Sequence, residues 1–302
     1  MENNPQSLDP RTLAKIKGLH LRARHIVEGY VSGLHRSPFH GFSIEFAEHR
    51  EYAPGDDLRH VDWKVFGRTD KYYVKQYDDE TNLVCQLILD VSESMRYQGP
   101  RSAMSKLDYA RTLAGALAWL VLQQQDAAGL VTFDQQIRSQ VRPSSNPSHL
   151  QQLFQVLESA NPEAKTRAGA IFHELAERMN KRSVVIVLSD LFDDVESLMA
   201  GLKHFRHRRH DVIVFHVLDP QEIEFAFGRP TVFRGYEQFP HVMADPRSLR
   251  RAYLREFQDY LSKVRVGCRR YGLDYQEMRT DRPFDVALTG YLSARAMRVR
   301  GG

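Results

Sequence analysis

Cysteine is almost absent from this chain of 302 residues, which has two. Cys85 and Cys268 stand far apart and neither belongs to a C-x-x-C pair, which excludes a disulfide framework and a zinc site built on cysteine pairs. Long apolar runs are also missing, because the longest, residues 113–122, has about half the length of a membrane span. The polar N-terminus lacks the basic and apolar regions of a signal peptide. We therefore expect a cytoplasmic protein without a membrane span.

The common signatures of catalysis are missing as well. The chain has no G-x-x-x-x-G-K-[ST] phosphate loop, no H-E-x-x-H zinc motif and no D-x-D nucleophile signature. A metal-dependent hydrolase needs a nucleophile or a metal-bound water, together with a general acid or base, and Glu93 is the nearest candidate base. We expect that the protein is not an enzyme. A metal-dependent phosphohydrolase or nuclease is the alternative.

Charge is unevenly distributed. The formal net charge is +4, yet residues 247–302 contain 13 Lys or Arg and 6 Asp or Glu, a net of +7, so the remaining residues sum to −3. Such a basic segment can meet nucleic acid, a lipid surface or an acidic partner. Because acidic residues are interleaved throughout and the segment contains no recognisable nucleic-acid-binding module, we expect a solvated helix face and no nucleic-acid binding.

From residue 84 onward, short apolar runs alternate with stretches of helical periodicity. Strands are predicted at 84–89, 129–133, 137–141, 184–188 and 211–218, and helices at 107–124, 148–157, 168–180, 195–206, 246–266 and 284–297. This alternation predicts an α/β fold with a doubly wound, mostly parallel, Rossmann-type sheet that is covered by helices on both faces. Strands 84–89 and 184–188 are apolar except for Gln86, so we expect them to be adjacent, parallel and buried on both faces.

The first 82 residues do not show this alternation of strands and helices. Residues 1–35 show helical spacing, whereas alternation at 42–46 and 71–77 predicts half-buried strands. Between these strands, Pro54-Gly55-Asp56-Asp57 predicts a turn whose role stays open. We therefore predict two regions. Residues 1–82 form an N-terminal helix and a small β-rich region, and residues 83–302 form the α/β domain with a C-terminal helical extension.

Oxygen-bearing side chains follow the two most apolar predicted strands. Asp90, Ser92 and Ser94 come directly after the first, Asp190 ends the second, and Thr166 stands in a loop before a helix. Because sites in such sheets form outside the carboxyl ends of the strands, three loops are expected to bring these residues to one edge. Hydroxyls and carboxylates suit Mg²⁺ best, with Mn²⁺ or Ca²⁺ possible, and do not suit zinc or copper. The alternative is an ordinary turn with helix caps.

Two other groups of residues contain possible metal ligands, but we do not expect either group to bind a metal. Asp193 and Asp194 follow Asp190 closely, and we expect them to cap the next helix. His204, His207 and His210 recur at every third position. On a helix the first and the last of these point about 120° apart, so a shared metal is not expected.

The five oxygen-bearing residues resemble the metal-ion-dependent adhesion site of von Willebrand factor A domains. Asp90, Ser92 and Ser94 match its D-x-S-x-S signature, Thr166 its lone threonine and Asp190 its later aspartate. The resemblance implies a von Willebrand factor A-like fold and a metal ligand set made of those five residues. One departure is Lys165, which stands where that family often has glycine and is expected to weaken metal binding.

A second resemblance lies upstream of the strand. Residues 50–63, which read REYAPGDDLRHVDW, resemble the hallmark of the bacterial domain-of-unknown-function 58 family, whose members are commonly encoded beside MoxR-type AAA+ ATPases. Together the resemblances imply a protein-interaction module that serves as an adaptor or chaperone-like partner of such an ATPase. Its client protein is not indicated by the sequence.

Overall fold

The computed structural model describes residues 8–34, 49–51, 73–75, 83–162, 164–227, 231–233, 242–285 and 288–289. The chain divides into two units, one of residues 1–32 with 83–302 and the other of residues 33–82. In the smaller unit, β1 (His49–Glu51) pairs antiparallel with β2 (Tyr73–Lys75), inside the strand predicted at 71–77. The predicted strand at 42–46 and the stretch Pro54-Gly55-Asp56-Asp57 lie outside the described residues.

The N-terminal segment forms two helices, α1 (Pro10–Leu13) and α2 (Leu19–Leu34). The ring centroid of His20 lies 4.7 Å from that of Trp119 and 5.2 Å from that of Phe154. The backbone N–H of Leu19 donates to the Glu158 carboxylate at 3.2 Å. These contacts explain why residues 1–32 belong to the larger unit, and not to the β-rich region with which the sequence grouped them.

The larger unit is built on one six-stranded sheet. Its strands are β3 (Val84–Asp90), β4 (Ala127–Phe133), β5 (Ile137–Ser144), β6 (Val184–Ser189), β7 (Asp211–Leu218) and β10 (Asp274–Arg279). A separate antiparallel pair consists of β8 (Thr231–Phe233) and β9 (Val242–Ala244). The order in the sheet is β10-β7-β6-β3-β4-β5, and every pairing is parallel except β4 with β5. The predicted doubly wound, mostly parallel α/β sheet is confirmed.

Helices cover both faces of this sheet. They are α3 (Lys106–Gln123), α4 (His149–Ser159), α5 (Ala168–Arg178), α6 (Val195–His207), α7 (Pro220–Glu224) and α8 (Pro246–Arg270), and a 3-10 turn spans Glu93–Arg96. Helices α5, α6 and α8 share one hydrophobic core with the sheet. The predicted helix at 284–297 lies largely outside the described residues. No helix in the described part of the chain combines the length and the apolar character needed to cross a membrane.

The centre of the sheet determines where a site can form. Strands β3 and β6 are adjacent and parallel, with Leu87 beside Ile186, and β6 is buried along its whole length, as predicted. The chain winds outward from β3 through β4 and β5, then returns to β6 and winds outward in the other direction. The strand order therefore reverses between β3 and β6, which is the point where doubly wound sheets bind ligands.

Strand β10 was not predicted from the sequence. It pairs parallel with β7 at the edge of the sheet. Its residues read DYQEMR, and most of them are exposed or half-buried. Without a continuous apolar run or a regular alternation of apolar and polar residues, the segment carries no periodicity that would mark it as a strand.

Candidate metal centre

Two polar side chains meet where β3 and β6 end. Because Leu89 pairs with Leu188 in parallel register, the next residues, Asp90 and Ser189, are neighbours. The Ser189 hydroxyl donates a short hydrogen bond to Oδ2 of Asp90, and Asp190 follows immediately. Both aspartates are fully buried. The structure thus brings the predicted carboxylates to one edge of the sheet, at the strand-order reversal.

The loop after β3 folds its serines back toward Asp90. The backbone N–H of Ser92 donates to Oδ1 of Asp90 at 2.8 Å, and the 3-10 turn begins at the next residue. The Oγ atoms of Ser92 and Ser94 lie 3.1 Å apart, and both serines are buried. The D-x-S-x-S spacing therefore places one carboxylate and two hydroxyls in a single buried cluster.

Thr166 is held between the loops that follow β3 and β4. The backbone N–H of Glu93 donates to the Ala164 carbonyl at 2.8 Å, and that of Arg167 donates to the Asp134 carbonyl at 3.2 Å. Thr166 itself is buried and is not the N-cap of α5, a position taken by Arg167. The backbone path thus carries Thr166 to the same end of the sheet as Asp90.

The neighbouring aspartates are helix caps. Asp194 accepts from the backbone N–H of Ser197 at 2.9 Å at the start of α6, as predicted. Asp193 instead accepts from the backbone N–H of Gly169 at 3.0 Å, in the first turn of the preceding helix, α5. Both carboxylates are therefore committed to helix termini.

A buried lysine, which the sequence did not single out, stands beside Asp190. The Nζ atom of Lys106 lies 2.8 Å from Oδ2 of Asp190 and 2.6 Å from Oε1 of Glu222. Its side chain is fully buried, and the ammonium also lies 4.7 Å from the centroid of the Phe192 ring. Burial alone would lower the pKa of Lys106, but the charges of Asp190 and Glu222 outweigh burial and raise this pKa above its ordinary value.

Asp90 has a different electrostatic environment. Its hydrogen-bond donors, Ser92 and Ser189, are neutral. Burial, and then the negative charge of Asp190, raise the pKa of Asp90 to about 7, although the hydrogen bonds act in the opposite direction. When ionised, Asp90, Asp190 and Glu222 carry three negative charges and Lys106 one positive charge, which leaves two negative charges in the cluster.

The backbone around Asp190 is fixed from the other side. Nε2 of His216 donates to the Asp190 carbonyl at 2.8 Å, and Nδ1 of His216 accepts from the Tyr275 hydroxyl at 2.8 Å. Burial lowers the pKa of His216 to about 4, so the ring is neutral at physiological pH. Leu191, the next residue, has a φ of 56° and its carbonyl accepts from the Tyr260 hydroxyl. Hydrogen bonds from neighbouring side chains therefore stabilise an uncommon backbone conformation beside the site.

The donor chemistry fits a divalent cation that prefers oxygen ligands. A buried carboxylate and two hydroxyls converge, and the cluster has two negative charges in excess when ionised. Such a cation would offset the burial and repulsion that raise the pKa of Asp90. Asp190 fits an indirect role better, because its Oδ2 atom is already paired with Lys106.

Several residues of the site carry little signal in the sequence. Ser189 is visible only as the neighbour of Asp190, and Lys106, Glu222 and His216 belong to no recognisable spacing. Lys165, which stands where von Willebrand factor A domains often have glycine, is half-buried in the loop before Thr166. A cation that contacts the carboxylates is Lys106, which lies in the first turn of α3.

The chain also resembles known proteins in sequence. The family described as "Protein of unknown function DUF58" matches residues 48–260, more than half of the chain. The chain belongs to this family. Uncharacterized proteins of Mycobacterium tuberculosis and Mycobacterium bovis are each 24% identical to this DUF58 protein over 300 residues, which is 97% of its chain and 93% of theirs.

Solved structures give a weaker likeness. BatB from Bacteroides thetaiotaomicron, a conserved hypothetical protein, matches this DUF58 protein with a TM-score of 0.49 and 16% identity, over 71% of this chain and 99% of its own. The SpRpn10 VWA domain matches with a TM-score of 0.38 and 11% identity, over 69% of this chain and 94% of its own. The fold assignment rests on the observed strand order and strand directions.

Proposed function

We propose that this DUF58 protein is a non-enzymatic protein-interaction module that captures an acidic side chain of its partner through a divalent cation, Mg²⁺, at the edge of β3 and β6. One observation carries the proposal. The buried carboxylate of Asp90 faces two neutral donors and adjoins a pair of hydroxyls 3.1 Å apart, while the adjacent Asp190 is paired with Lys106. Such an arrangement would hold one cation with Asp90 as its only charged direct ligand, so part of the positive charge of the ion would stay uncompensated.

In this proposal the residues have distinct tasks. Asp90, Ser92, Ser94 and Thr166 would hold the ion, and Asp190 would have an indirect role, because its Oδ2 atom is paired with Lys106. Mg²⁺ commonly keeps several of its waters when a protein binds it through few carboxylates. When bound, the ion supplies an exchangeable coordination position for a carboxylate oxygen of another protein.

Lys106 has a definite electrostatic task in this scheme. A second ionised aspartate beside the ion would cancel the remaining positive charge and reduce the attraction for an external carboxylate. Because the Lys106 ammonium is shared between Asp190 and Glu222, part of that negative charge is compensated within the protein. Asp90 then remains the main charged ligand, and the ion retains affinity for an acidic group.

The partner that we propose is a MoxR-type AAA+ ATPase in the cytoplasm. The resemblance of residues 50–63 to proteins encoded beside such ATPases supports this choice. An acidic side chain exposed on the ATPase would complete the coordination of the ion. The protein would then act as an adaptor that brings a client protein to the ATPase.

The test is capture of the purified cognate ATPase on immobilised protein in the presence of Mg²⁺. We expect capture by the wild type, and loss of capture with EDTA or with Asp90→Ala. Glu174→Ala, which removes a partly exposed carboxylate from α5, is the matched control and should capture normally. Undiminished capture by Asp90→Ala in EDTA would overturn the metal-bridged mechanism. Metal-dependent release of phosphate from nucleotides by the protein alone would favour the hydrolase alternative.

A further inference from the structure

Three side chains that could ligate a metal meet on the opposite surface of the α5–α6 pair from the core. His173 and Glu177 are one turn apart on α5, and His204 stands on α6. Nδ1 of His173 lies 2.9 Å from Nδ1 of His204, and Nε2 of His204 lies 2.9 Å from Oε1 of Glu177. One ligand atom from each of the three residues lies within 4.8 Å of the others.

The two helices are held together closely enough to fix this arrangement. A Cβ atom on Gly169 would collide with Ser197, and one on Gly201 would collide with the Gly169 carbonyl. The helix backbones therefore approach each other at two glycines, one on each helix. Because His173 and His204 follow along the same seam, their rings face each other as a consequence of packing, with centroids 4.3 Å apart.

The hydrogen bonds select a tautomer that suits metal binding. Nε2 of His204 donates its proton to the Glu177 carboxylate, so in the neutral ring Nδ1 carries the lone pair. That lone pair now accepts from Nδ1 of His173. If His173 carries its proton on Nε2 instead, two lone pairs converge on one point. A carboxylate that orients a ligating histidine through its other nitrogen is a common feature of metal sites.

We propose that His173 and His204 bind a transition-metal ion of the Zn²⁺ class through their Nδ1 atoms, with Glu177 orienting His204. Two zinc–nitrogen bonds of about 2.0–2.1 Å at a tetrahedral angle place the nitrogens about 3.4 Å apart, so the rings need to separate by about half an ångström. The other coordination positions are open to water because His173 and Glu177 are exposed. Imidazole ligands select against Mg²⁺, which keeps this site distinct from the oxygen cluster at Asp90.

The proposed site does not use the histidines that recur at every third position in the sequence. The helical spacing predicts no metal shared by His204, His207 and His210, and among the described residues the ligand atoms close to those of His204 belong to His173 and Glu177. His210 is buried beyond the end of α6, where its Nδ1 accepts from the backbone N–H of Ser183, and His207 is exposed. The second ligand for His204 comes from α5, which no spacing within α6 indicates.

The experiment is calorimetric titration of tag-free protein with Zn²⁺ in excess Mg²⁺, followed by Co²⁺ substitution read by visible absorption. The wild type should bind one zinc ion with both histidines contributing. His173→Ala and His204→Ala should each abolish that binding, and Glu177→Ala should weaken it by about tenfold. His207→Ala removes an exposed histidine of the same helix and should bind like the wild type.

Two results would overturn the proposal. One is no zinc binding by the wild type in excess Mg²⁺, and the other is wild-type affinity in both His173→Ala and His204→Ala. The Asp90→Ala variant should retain zinc binding, which separates this site from the one proposed for Mg²⁺. Circular dichroism of each variant establishes that it is folded before it is titrated.

Discussion

The ammonium of Lys106 lies 2.8 Å from the carboxylate of Asp190, and both side chains are fully buried. A buried ion pair contributes little net stability by itself, because desolvation of the two charges offsets their attraction. Loss of one member is strongly destabilising, since the other charge is then left buried without compensation. The pair therefore sets the charge of the site more than it stabilises the fold.

Replacement of Lys106 by methionine tests this role. The variant keeps the volume of the side chain but leaves Asp190 and Glu222 facing each other without the ammonium. We expect a loss of about 3–5 kcal/mol in the free energy of unfolding, measured by urea titration in EDTA. Added Mg²⁺ should restore more stability to this variant than it adds to the wild type, because the variant has lost a cation.

The control is Arg24→Met, which breaks the exposed pair Arg24–Glu28 on α2. Its cost should stay below about 1 kcal/mol because solvent screens the interaction. An equal and small loss in the two variants would show that the ammonium of Lys106 does not compensate buried charge.

The two buried aspartates at the ends of β3 and β4 predict opposite responses to neutralisation. Burial and Asp190 raise the pKa of Asp90 to about 7, so its ionised form is disfavoured in the folded state. The stability that protonated Asp90 gives the folded state is therefore lost as pH rises from the ordinary aspartate pKa of 3.8 through about 7. At pH 8 without metal, Asp90→Asn should therefore raise the free energy of unfolding, by on the order of 1–4 kcal/mol.

Asp134→Asn is the matched comparison for Asp90→Asn. Asp134 is buried but accepts from the Arg138 guanidinium at 2.6 Å, so its neutralisation should cost about 1–3 kcal/mol. Urea unfolding of the two variants at pH 8 in EDTA gives both values. If Asp90→Asn destabilises the protein as much as Asp134→Asn does, the negative charge of Asp90 is already compensated in the folded state.

Much of the sheet was predictable, because strands β3 and β6 consist mostly of apolar residues and buried parallel strands have that character. The convergence of Asp90, Ser92 and Ser94 was predictable for the same reason, since their spacing follows directly from the end of a strand. Lys106 was not. Its charge is buried only because α3 begins beside Asp190, and a tertiary contact of this kind leaves no periodic trace in the sequence.

Ser189→Ala tests the link between the two strand ends. The Ser189 hydroxyl donates to Asp90, and its oxygen accepts from the backbone N–H of Leu191 at 2.8 Å. Its removal leaves buried groups unsatisfied, so we expect a loss of about 1–3 kcal/mol in thermal or urea unfolding. Ser159→Ala, at the exposed end of α4, should change stability by less than about 0.5 kcal/mol. A Ser189→Ala variant as stable as Ser159→Ala would contradict this account.

The most direct test of the central claim is calorimetric titration of the wild type and of Asp90→Ala with Mg²⁺. We expect one Mg²⁺ ion per wild-type chain and no binding by the folded Asp90→Ala variant. His173→Ala, altered on the α5–α6 surface, should bind Mg²⁺ like the wild type. Equal Mg²⁺ binding by the wild type and by Asp90→Ala would contradict the assignment of the metal to the edge of β3 and β6.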